Sequence, residues 1–220
     1  MTITPESVQQ LLRSEDFGDR LRAVNQIRNL EPAIAFPLLQ EAAADSSARV
    51  RYAAVSQIAS TGQANIEVAY ELLRDRLLHD SEVDVQSAAA DAIGALHISD
   101  ALPILTEVYH ETPEWLLRFS IVAALGELGD RRALPILEDA LQNGNELTQT
   151  AAISALGELG DPDTVPLIIP RATDPDWQVR YRVAQALGAL GGDAARATLE
   201  TLAQDEIEQV AQTARDGLSR

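Results

Sequence analysis

Apolar and polar residues alternate along this chain in the three- and four-residue steps of α-helices that bury one face. The hexapeptide Leu-Gly-Glu-Leu-Gly-Asp occurs twice, at Leu125–Asp130 and at Leu156–Asp161, so the second copy begins 31 residues after the first. A self-similar unit of about thirty residues is typical of stacked repeat proteins. No segment shows the alternation of a β-strand, so we predict an all-α chain of helical hairpins.

Seven aligned positions, here called anchors, mark the predicted starts of the second helix of each hairpin. They are Leu21, Val50, Val85, Leu117, Thr148, Val179 and Val210, of which only Thr148 is polar. Successive anchors are 29, 35, 32, 31, 31 and 31 residues apart, and the longest interval predicts a longer turn at Thr61–Ile66. With the anchor as position one, positions five, six, nine and twelve are mostly apolar or small, which predicts one buried face per helix.

Glycines and prolines punctuate the repeats. Position ten carries Gly126, Gly157 and Gly188, where a small residue lets neighbouring helices approach, and position thirteen carries Gly129, Gly160 and Gly191, which predicts helix ends with positive φ. The other helix of each hairpin, the outer helix, is predicted to carry Pro37, Pro103, Pro135 or Pro166 in its first turn. We expect a single domain over residues 1–220, with about six repeats and a C-terminal half-repeat. Residues 1–15 are expected to hold a capping helix that starts at Thr4.

Composition narrows the possible functions. The net charge of −17 and the pI near 4.4 oppose binding to nucleic acid or to an anionic membrane. All 17 basic residues are arginines, so lysine chemistry is absent, and the chain has no cysteine for a disulfide, a thiolate nucleophile or an iron–sulfur ligand. The N-terminal residues lack the features of a signal peptide, and no apolar run is long enough to span a bilayer. We expect a cytoplasmic protein.

Aspartates and arginines recur at fixed distances from the anchors. Asp45, Asp174 and Asp205 lie five residues before an anchor, whereas Arg22, Arg51, Arg118 and Arg180 lie one residue after an anchor. This spacing allows each arginine to pair with an aspartate in the turn of its own repeat or of the next one. Such a ladder of ion pairs would stabilise the turns.

The turn aspartate, the segment V-R-x-x-A-A, the segment A-L-G-x-L-G-D and the following P-x-L together resemble HEAT repeats. The form LGELGDP is similar to the HEAT repeats of phycobilisome (bilin) lyases. Four runs, Ser14–Pro32, Val50–Gln57, Leu72–Glu82 and Glu114–Asp130, resemble the NblB-type phycobilisome degradation proteins of cyanobacteria. The resemblance implies a right-handed α-solenoid whose inner surface is lined by the second helices.

The resemblance also implies a partner and leaves the activity open. The expected partners are phycobiliproteins, such as subunits of phycocyanin or allophycocyanin, or their open-chain tetrapyrrole, with phycocyanobilin as a possible ligand that is not covalently bound. The expected role is in phycobilisome degradation or bilin detachment, and lyase-like catalysis is not decided. The alternative is a non-catalytic scaffold whose repeats hold another protein, because a solenoid fold does not determine function.

Positions three, seven and eleven of the second helices form a stripe that faces away from the core. On this stripe Tyr52, Phe119 and Tyr181 could stack on a conjugated ligand, and Asp91 could face its pyrrole nitrogens. The carboxylates of the ligand could reach Arg51, Arg118, Arg180 or Arg182. The alternative is that each aromatic packs on the neighbouring repeat. Our candidate binding residues are Tyr52, Asp91, Arg118, Phe119, Arg180 and Tyr181.

The tryptophans, the histidines and one pair of glutamates are the remaining candidates for functional residues. Trp115 and Trp177 precede two anchors by two residues and are candidate rim contacts for a partner, or hydrophobic staples over the helix starts. The three histidines have no metal-ligand spacing, so we expect no metal site, and nucleotide-binding motifs are missing. Glu127 and Glu158 occupy equivalent positions of adjacent repeats and are a possible carboxylate pair or two solvated acids. No catalytic residue can be assigned.

Overall fold

The computed structural model describes residues 3–219, which form α-helices, short 3-10 turns and loops, without a strand in this range. Contacts divide the chain into two compact units, one up to Ala124 and one from Leu125. The helices of the first unit are α1 Pro5–Leu12, α2 Phe17–Ile27, α3 Pro32–Ala42, α4 Ala48–Thr61, α5 Ile66–His79, α6 Val83–Ala95 and α7 Leu102–Glu111. Helix α8 spans Trp115–Leu128, and the boundary falls inside it. The second unit continues with α9 Leu134–Asn143, α10 Glu146–Leu159, α11 Val165–Ile168, α12 Trp177–Leu190, α13 Asp193–Leu202 and α14 Glu208–Leu218.

In each unit the helices pair into hairpins, and the second helices form a layer. In the first unit α2, α4 and α6 pack side by side in chain order, while α1, α3 and α5 pack on them from outside. In the second unit α10, α12 and α14 pack in order, with α9 and α13 as outer helices. The core therefore lies between the two layers and consists mostly of Leu, Ile, Val and Ala side chains.

The N-terminal helix is confirmed, and so are its end signals. Thr4 is the N-cap, Pro5 is the first helical residue, and Thr4 and Ser7 exchange side-chain to backbone hydrogen bonds in a capping box. This helix packs on α2 in the same way as the later outer helices pack on theirs. It therefore pairs with α2 as the first half of a hairpin.

Prolines explain where the outer helices begin and end. Pro103, Pro135 and Pro166 lie in the first turn of α7, α9 and α11, as predicted. The prediction for Pro37 was wrong, because α3 already begins at Pro32 and holds Pro37 in its interior. Helix α11 is short because Pro170 has no N–H for the next α-helical hydrogen bond, and the chain continues as a 3-10 turn over Ile169–Thr173. The long turn is confirmed as a 3-10 turn at Gly62–Asn65.

Glycines at position ten bring the second helices of the second unit into close contact. A Cβ atom on Gly157 would lie 2.8 Å from the Cα of Ala186, and one on Gly126 would lie 2.6 Å from the Cα of Ala155. Gly188 faces the Cα of Gly217 at 3.0 Å in the same way. Because these distances are shorter than a carbon–carbon contact, only glycine permits this packing.

The predicted helix ends at position thirteen are also confirmed. Gly129, Gly160 and Gly191 have φ values of 63°, 68° and 68°. His97 occupies the same position in the third repeat and has a φ of 52°, which makes it the non-glycine residue with positive φ in the described range. The repeat geometry therefore imposes a left-handed residue here even where the sequence lacks glycine.

Arginine forks connect successive turns at Arg51 and Arg180, as the ladder interpretation predicted, but not at Arg118, whose Nε has no hydrogen-bond partner among the described residues. Arg51 donates from Nε and Nη2 to the Asp80 carboxylate at 2.8 and 2.7 Å, and from Nη1 to the carbonyl oxygens of Asp45 and Ser46 at 3.0 and 3.3 Å. Each fork therefore ties the turn before its own helix to the turn before the next second helix. Arg180 repeats the arrangement with Asp205 at 2.6 and 2.9 Å.

The first fork corrects the sequence alignment. Arg20, and not Arg22, forms the bidentate pair with Asp45, at 2.7 and 3.1 Å. Arg22 makes only an exposed ion pair with Asp19 on the same helix. Placing Arg20 opposite Arg51 gives a spacing of 31 residues, which matches the later repeats better than the spacing of 29 from Leu21. The apolar anchor misled the alignment because Leu21 is only half-buried.

We predict that Gly157→Ala lowers the free energy of unfolding by roughly 1–2 kcal/mol, because overpacking outweighs the higher helix propensity of alanine. The change can be measured by urea denaturation. Ala186→Gly removes the atoms that the new methyl group would meet, so the double variant should be more stable than the sum of the two single changes predicts. Strict additivity would show that the close contact does not limit the packing.

We predict that Asp80→Asn destabilises the protein by roughly 2–3 kcal/mol, because Arg51 then lies largely buried without a counter-charge. Burial alone would raise the pKa of Asp80, but hydrogen bonds from Arg51 and from the backbone N–H of Glu82 lower it overall. The variant should therefore lose its full share of the free energy of unfolding above pH about 4. This loss relative to wild type should shrink as the pH falls through the lowered pKa of Asp80.

The matched control for this prediction is Asp19→Asn, which removes the exposed pair with Arg22 and should change stability by less than about 0.5 kcal/mol. Thermal unfolding between pH 3 and pH 7 follows both variants. Equal losses in the two variants would contradict the role of the buried fork.

Candidate functional site

A groove of about 570 Å³ lies on the layer of second helices in the first unit, and we call it the first-unit groove. Helices α4, α6 and α8 supply most of its walls, and Leu21 of α2 closes one side. Its volume lies within the range of about 300–1,000 Å³ that is common for small-molecule sites. The lining residues are Leu21, Ala48, Arg49, Tyr52, Ala53, Glu82, Asp84, Val85, Ser87, Ala88, Asp91, Leu116, Phe119 and Ser120.

Three of the predicted site residues meet in this groove. Tyr52 stands on α4 with 48% of its surface exposed, Asp91 lies on α6, and Phe119 lies on α8. The alanines between them keep the walls low, so both aromatic side chains can contact a ligand. The stripe of second-helix residues predicted from the sequence therefore forms a real surface in the first unit.

The charge of the groove is mainly negative. Glu82, Asp84 and Asp91 contribute carboxylates, and Arg49 is the single cation among the described lining residues. Asp91 is exposed at the mouth of the groove, but the surrounding protein atoms raise the pKa of its carboxyl group. A hydrogen bond from Ser120 partly opposes this shift. The net effect is a pKa above the ordinary value of an aspartate.

Ser87 adds an unsatisfied polar group to the groove floor. Its side chain is 4% exposed, and its hydroxyl oxygen has no hydrogen-bond partner among the described residues. A helical serine commonly donates to the carbonyl oxygen four residues earlier. Since buried hydroxyl groups are normally bonded, Ser87 is an exception among the residues that line the groove.

The sequence-based stripe missed Arg49, Asp84 and Leu116, which all line the groove. Each lies directly before an anchor, at position zero of its helix. Positions zero, three and seven follow the spacing i, i+3, i+7 and share a face with the predicted positions. Extending the stripe by one helical turn toward the N-terminus would therefore have found them.

The predicted arginines do not lie in the groove. Arg51 and Arg180 are held by the forks to Asp80 and Asp205, with side chains only 12% and 11% exposed. The guanidinium of Arg118 lies 5.8 Å above the ring of Tyr109, and its buried Nε has no hydrogen-bond partner among residues 3–219. These positions are unsuited to holding the carboxylates of a ligand that rests on Tyr52 and Phe119.

Tyr181 lines a smaller groove of about 310 Å³ in the second unit, between α12 and α14. Its hydroxyl oxygen accepts a hydrogen bond from Gln185 at 3.0 Å, and the Arg182 guanidinium lies 5.9 Å from its ring. Tyr181 is therefore packed with its own neighbours, while Tyr52 and Phe119 belong to the first-unit groove.

The remaining candidates lie at the surface. Trp115 and Trp177 are the first residues of α8 and α12 and are 50% and 39% exposed, and their role as contacts for a partner stays a prediction. Burial and the nearby carboxylate of Glu127 raise the pKa of Glu158, whereas Arg182 lowers it. These two glutamates of the second unit are thus close enough to interact.

Two classes of site find no support in the described part of the chain. No group of three or more His, Asp or Glu side chains in residues 3–219 is placed to hold a metal ion. Within the same residues, none of the helices combines the length and the apolar character required to cross a membrane.

A family model for HEAT repeats matches residues 4–94, 70–155 and 139–219, which together cover nearly the whole chain. This chain belongs to the HEAT-repeat family. The match agrees with the helical hairpins, the glycine ends and the arginine forks, and it confirms the predicted all-α repeat fold. Comparison with curated proteins gives no match.

Two solved structures show the same fold. YibA from E. coli has a TM-score of 0.67 at 19% identity, over 98% of this chain and 81% of YibA. The complex of CpcE and CpcF of phycocyanin lyase from Nostoc sp. PCC7120 has a TM-score of 0.66 at 22% identity, over 100% of this chain and 95% of the matched chain. At these identities the likeness establishes the fold and leaves the activity open.

We predict that Asp91→Asn stabilises the protein at pH 7, because the neutral amide avoids the cost of an ionised carboxylate in the groove. The sign follows from the raised pKa, since ionisation of Asp91 destabilises the folded state above that pKa. The gain in melting temperature should shrink as the pH falls through the raised pKa, because wild-type Asp91 then takes up a proton and becomes neutral itself. A gain that does not depend on pH would contradict this explanation.

Proposed function

We propose that this protein binds phycobiliproteins through their open-chain tetrapyrrole in the first-unit groove, and that it acts in phycobilisome degradation or bilin detachment. The groove carries this proposal, because Tyr52 and Phe119 offer two aromatic faces beside the polar Asp91. Fold-level likeness to a phycocyanin lyase complex supports it. So does the resemblance of four sequence runs to phycobilisome degradation proteins.

The dimensions of the groove suit an extended conjugated molecule. Tyr52 and Phe119 are on α4 and α8, with α6 between them, so a ligand that contacts both must lie across α6. On this path it passes Ser87, Ala88 and Asp91, which line the groove. Stacking on aromatic side chains and hydrogen bonds to Asp91 would orient the pigment.

The residues of the chain limit how it would handle the pigment. Because the chain has no cysteine, it cannot hold a bilin through a thioether bond of its own. The pigment would therefore be bound reversibly or remain attached to the phycobiliprotein while its exposed part rests in the groove. Asp91 lines the groove together with the two aromatic residues, and its carboxylate would accept hydrogen bonds from the nitrogens of the pigment.

Visible absorption tests the proposal. We expect free phycocyanobilin to give a saturable spectral shift with the purified protein, and we expect Tyr52→Ala and Phe119→Ala to weaken binding by about tenfold each, because each removes one stacking surface. Intact phycocyanin should bind to the same groove and should co-elute with the wild-type protein in gel filtration.

Phe17→Ala is the matched control, because Phe17 is 45% exposed in the same unit but does not line the groove. Its affinity for the pigment should equal that of wild type. No spectral shift with free bilin but co-elution with phycocyanin would favour a pure protein scaffold. No binding to either would refute the proposed partner and leave the HEAT fold unaffected.

A further inference from the structure

We propose that the first-unit groove selects a planar, positively charged nitrogen group, of the amidinium, guanidinium or protonated pyrrole type, rather than the carboxylates of its ligand. This inference rests on the groove used for the proposed function and adds the chemical class that the groove recognises. It reverses the simplest expectation from the sequence, in which arginines hold the carboxylates of the pigment.

The charge balance of the lining supports a cationic ligand. Three carboxylates, on Glu82, Asp84 and Asp91, face one guanidinium on Arg49. Other arginines of the second helices are not available, since Arg51 is bound to Asp80 in a bidentate pair. A ligand carboxylate in the groove would therefore meet more repulsion than attraction.

The shape and chemistry of the walls favour a flat group. Tyr52 and Phe119 present aromatic side chains, and cations with delocalised charge bind the faces of such rings. A planar nitrogen cation can stack on a ring and donate hydrogen bonds in its plane to a carboxylate such as Asp91. A compact ammonium ion is less suited, because it holds its water shell more strongly.

Ser87 adds a polar group to the lining of the groove. The residue is 4% exposed, and its hydroxyl oxygen has no hydrogen-bond partner among the described residues. A hydroxyl group can accept from an N–H group as well as donate to an acceptor, so Ser87 is compatible with the N–H donors of a planar cation. The preference for a cation over an anion follows from the charge balance of the lining.

Two sources can provide this chemistry. One is the protonated nitrogen of the tetrapyrrole, and the other is an arginine side chain of a partner protein. Both place a planar N–H cation between aromatic and acidic side chains. Small probe molecules test whether the groove prefers a planar cation, independently of whether a pigment or a protein supplies that cation.

The first experiment compares benzamidine, a planar cation, with benzoate, a planar anion of similar size, by isothermal titration calorimetry. We expect benzamidine to bind at least about tenfold more tightly than benzoate, and Asp91→Asn and Asp84→Asn each to weaken benzamidine about threefold to tenfold. The control Glu107→Gln removes an exposed acid of α7 outside the groove and should leave the affinity unchanged. Equal affinities for the two probes would overturn the inference, because the groove would then not select a cation. Equal losses of affinity in all three variants would also overturn it, because they would reflect only the net charge of the protein.

The second experiment identifies the source. Phycocyanobilin and its dimethyl ester are compared by absorption titration, and N-acetylarginine amide is titrated as a model of a protein side chain. If the pigment supplies the cation, the ester should bind at least as tightly as the free acid. Weaker binding of the ester would show that carboxylates are recognised and would overturn the inference.

The outcomes distinguish this inference from the proposed function. If benzamidine and N-acetylarginine amide bind through Asp91 but the free pigment does not bind, the pigment is refuted as the ligand of the groove. That outcome would support an arginine side chain of a partner protein as the ligand. Pigment binding that depends on Tyr52 and Phe119 but favours the free acid would support the proposed function and refute the cation selectivity.

Discussion

The bidentate pair between an arginine near the start of one second helix and the aspartate before the next is the interaction on which the repeats depend. Arg51 holds two carbonyl oxygens of its own turn and the carboxylate of Asp80 with a single guanidinium group. Neither lysine nor a lone backbone hydrogen bond could connect three such groups in a plane. The register of successive second helices is thereby set at their N-terminal ends, where the groove residues begin.

This structural use of arginine has consequences for the site. Two of the arginines that the sequence offers for anionic ligands, Arg51 and Arg180, are held in largely buried ion pairs. Removing either would leave an unpaired aspartate. The surface left for a ligand in the first unit is aromatic and acidic. Arg49 lies on the groove side of its helix, whereas Arg51, two residues later, belongs to the ladder. Neighbouring residues of the same type thus perform different tasks because they point in different directions from one helix.

Small residues are the second constraint on the fold. Gly126, Gly157 and Gly188 let second helices of the second unit meet backbone to backbone, opposite Ala155, Ala186 and Gly217 respectively. In the first unit, Ala53 and Ala88 play a different part, since they keep the groove open between larger side chains. A chain with few aromatic residues therefore places two of them, Tyr52 and Phe119, where they remain accessible. Such accessible aromatic side chains in an otherwise small-residue surface are typical of recognition sites.

Local signals in the sequence determined the helices, their caps and their glycine ends, because these depend on neighbouring residues along the chain. Thr4, Pro135 and Gly160 act within one helical turn, so the pattern was sufficient to predict them. The stripe with Tyr52, Asp91 and Phe119 was also predictable, because positions on one helix face follow from the helical period. Tertiary structure alone decided that Arg20 and not Arg22 forms the first fork, that Arg118 lies over the ring of Tyr109 instead of forming a fork, and that Ser87 lacks a partner. Those outcomes depend on which side chains meet across repeats, and the distance between residues in sequence does not specify the direction in which a side chain points.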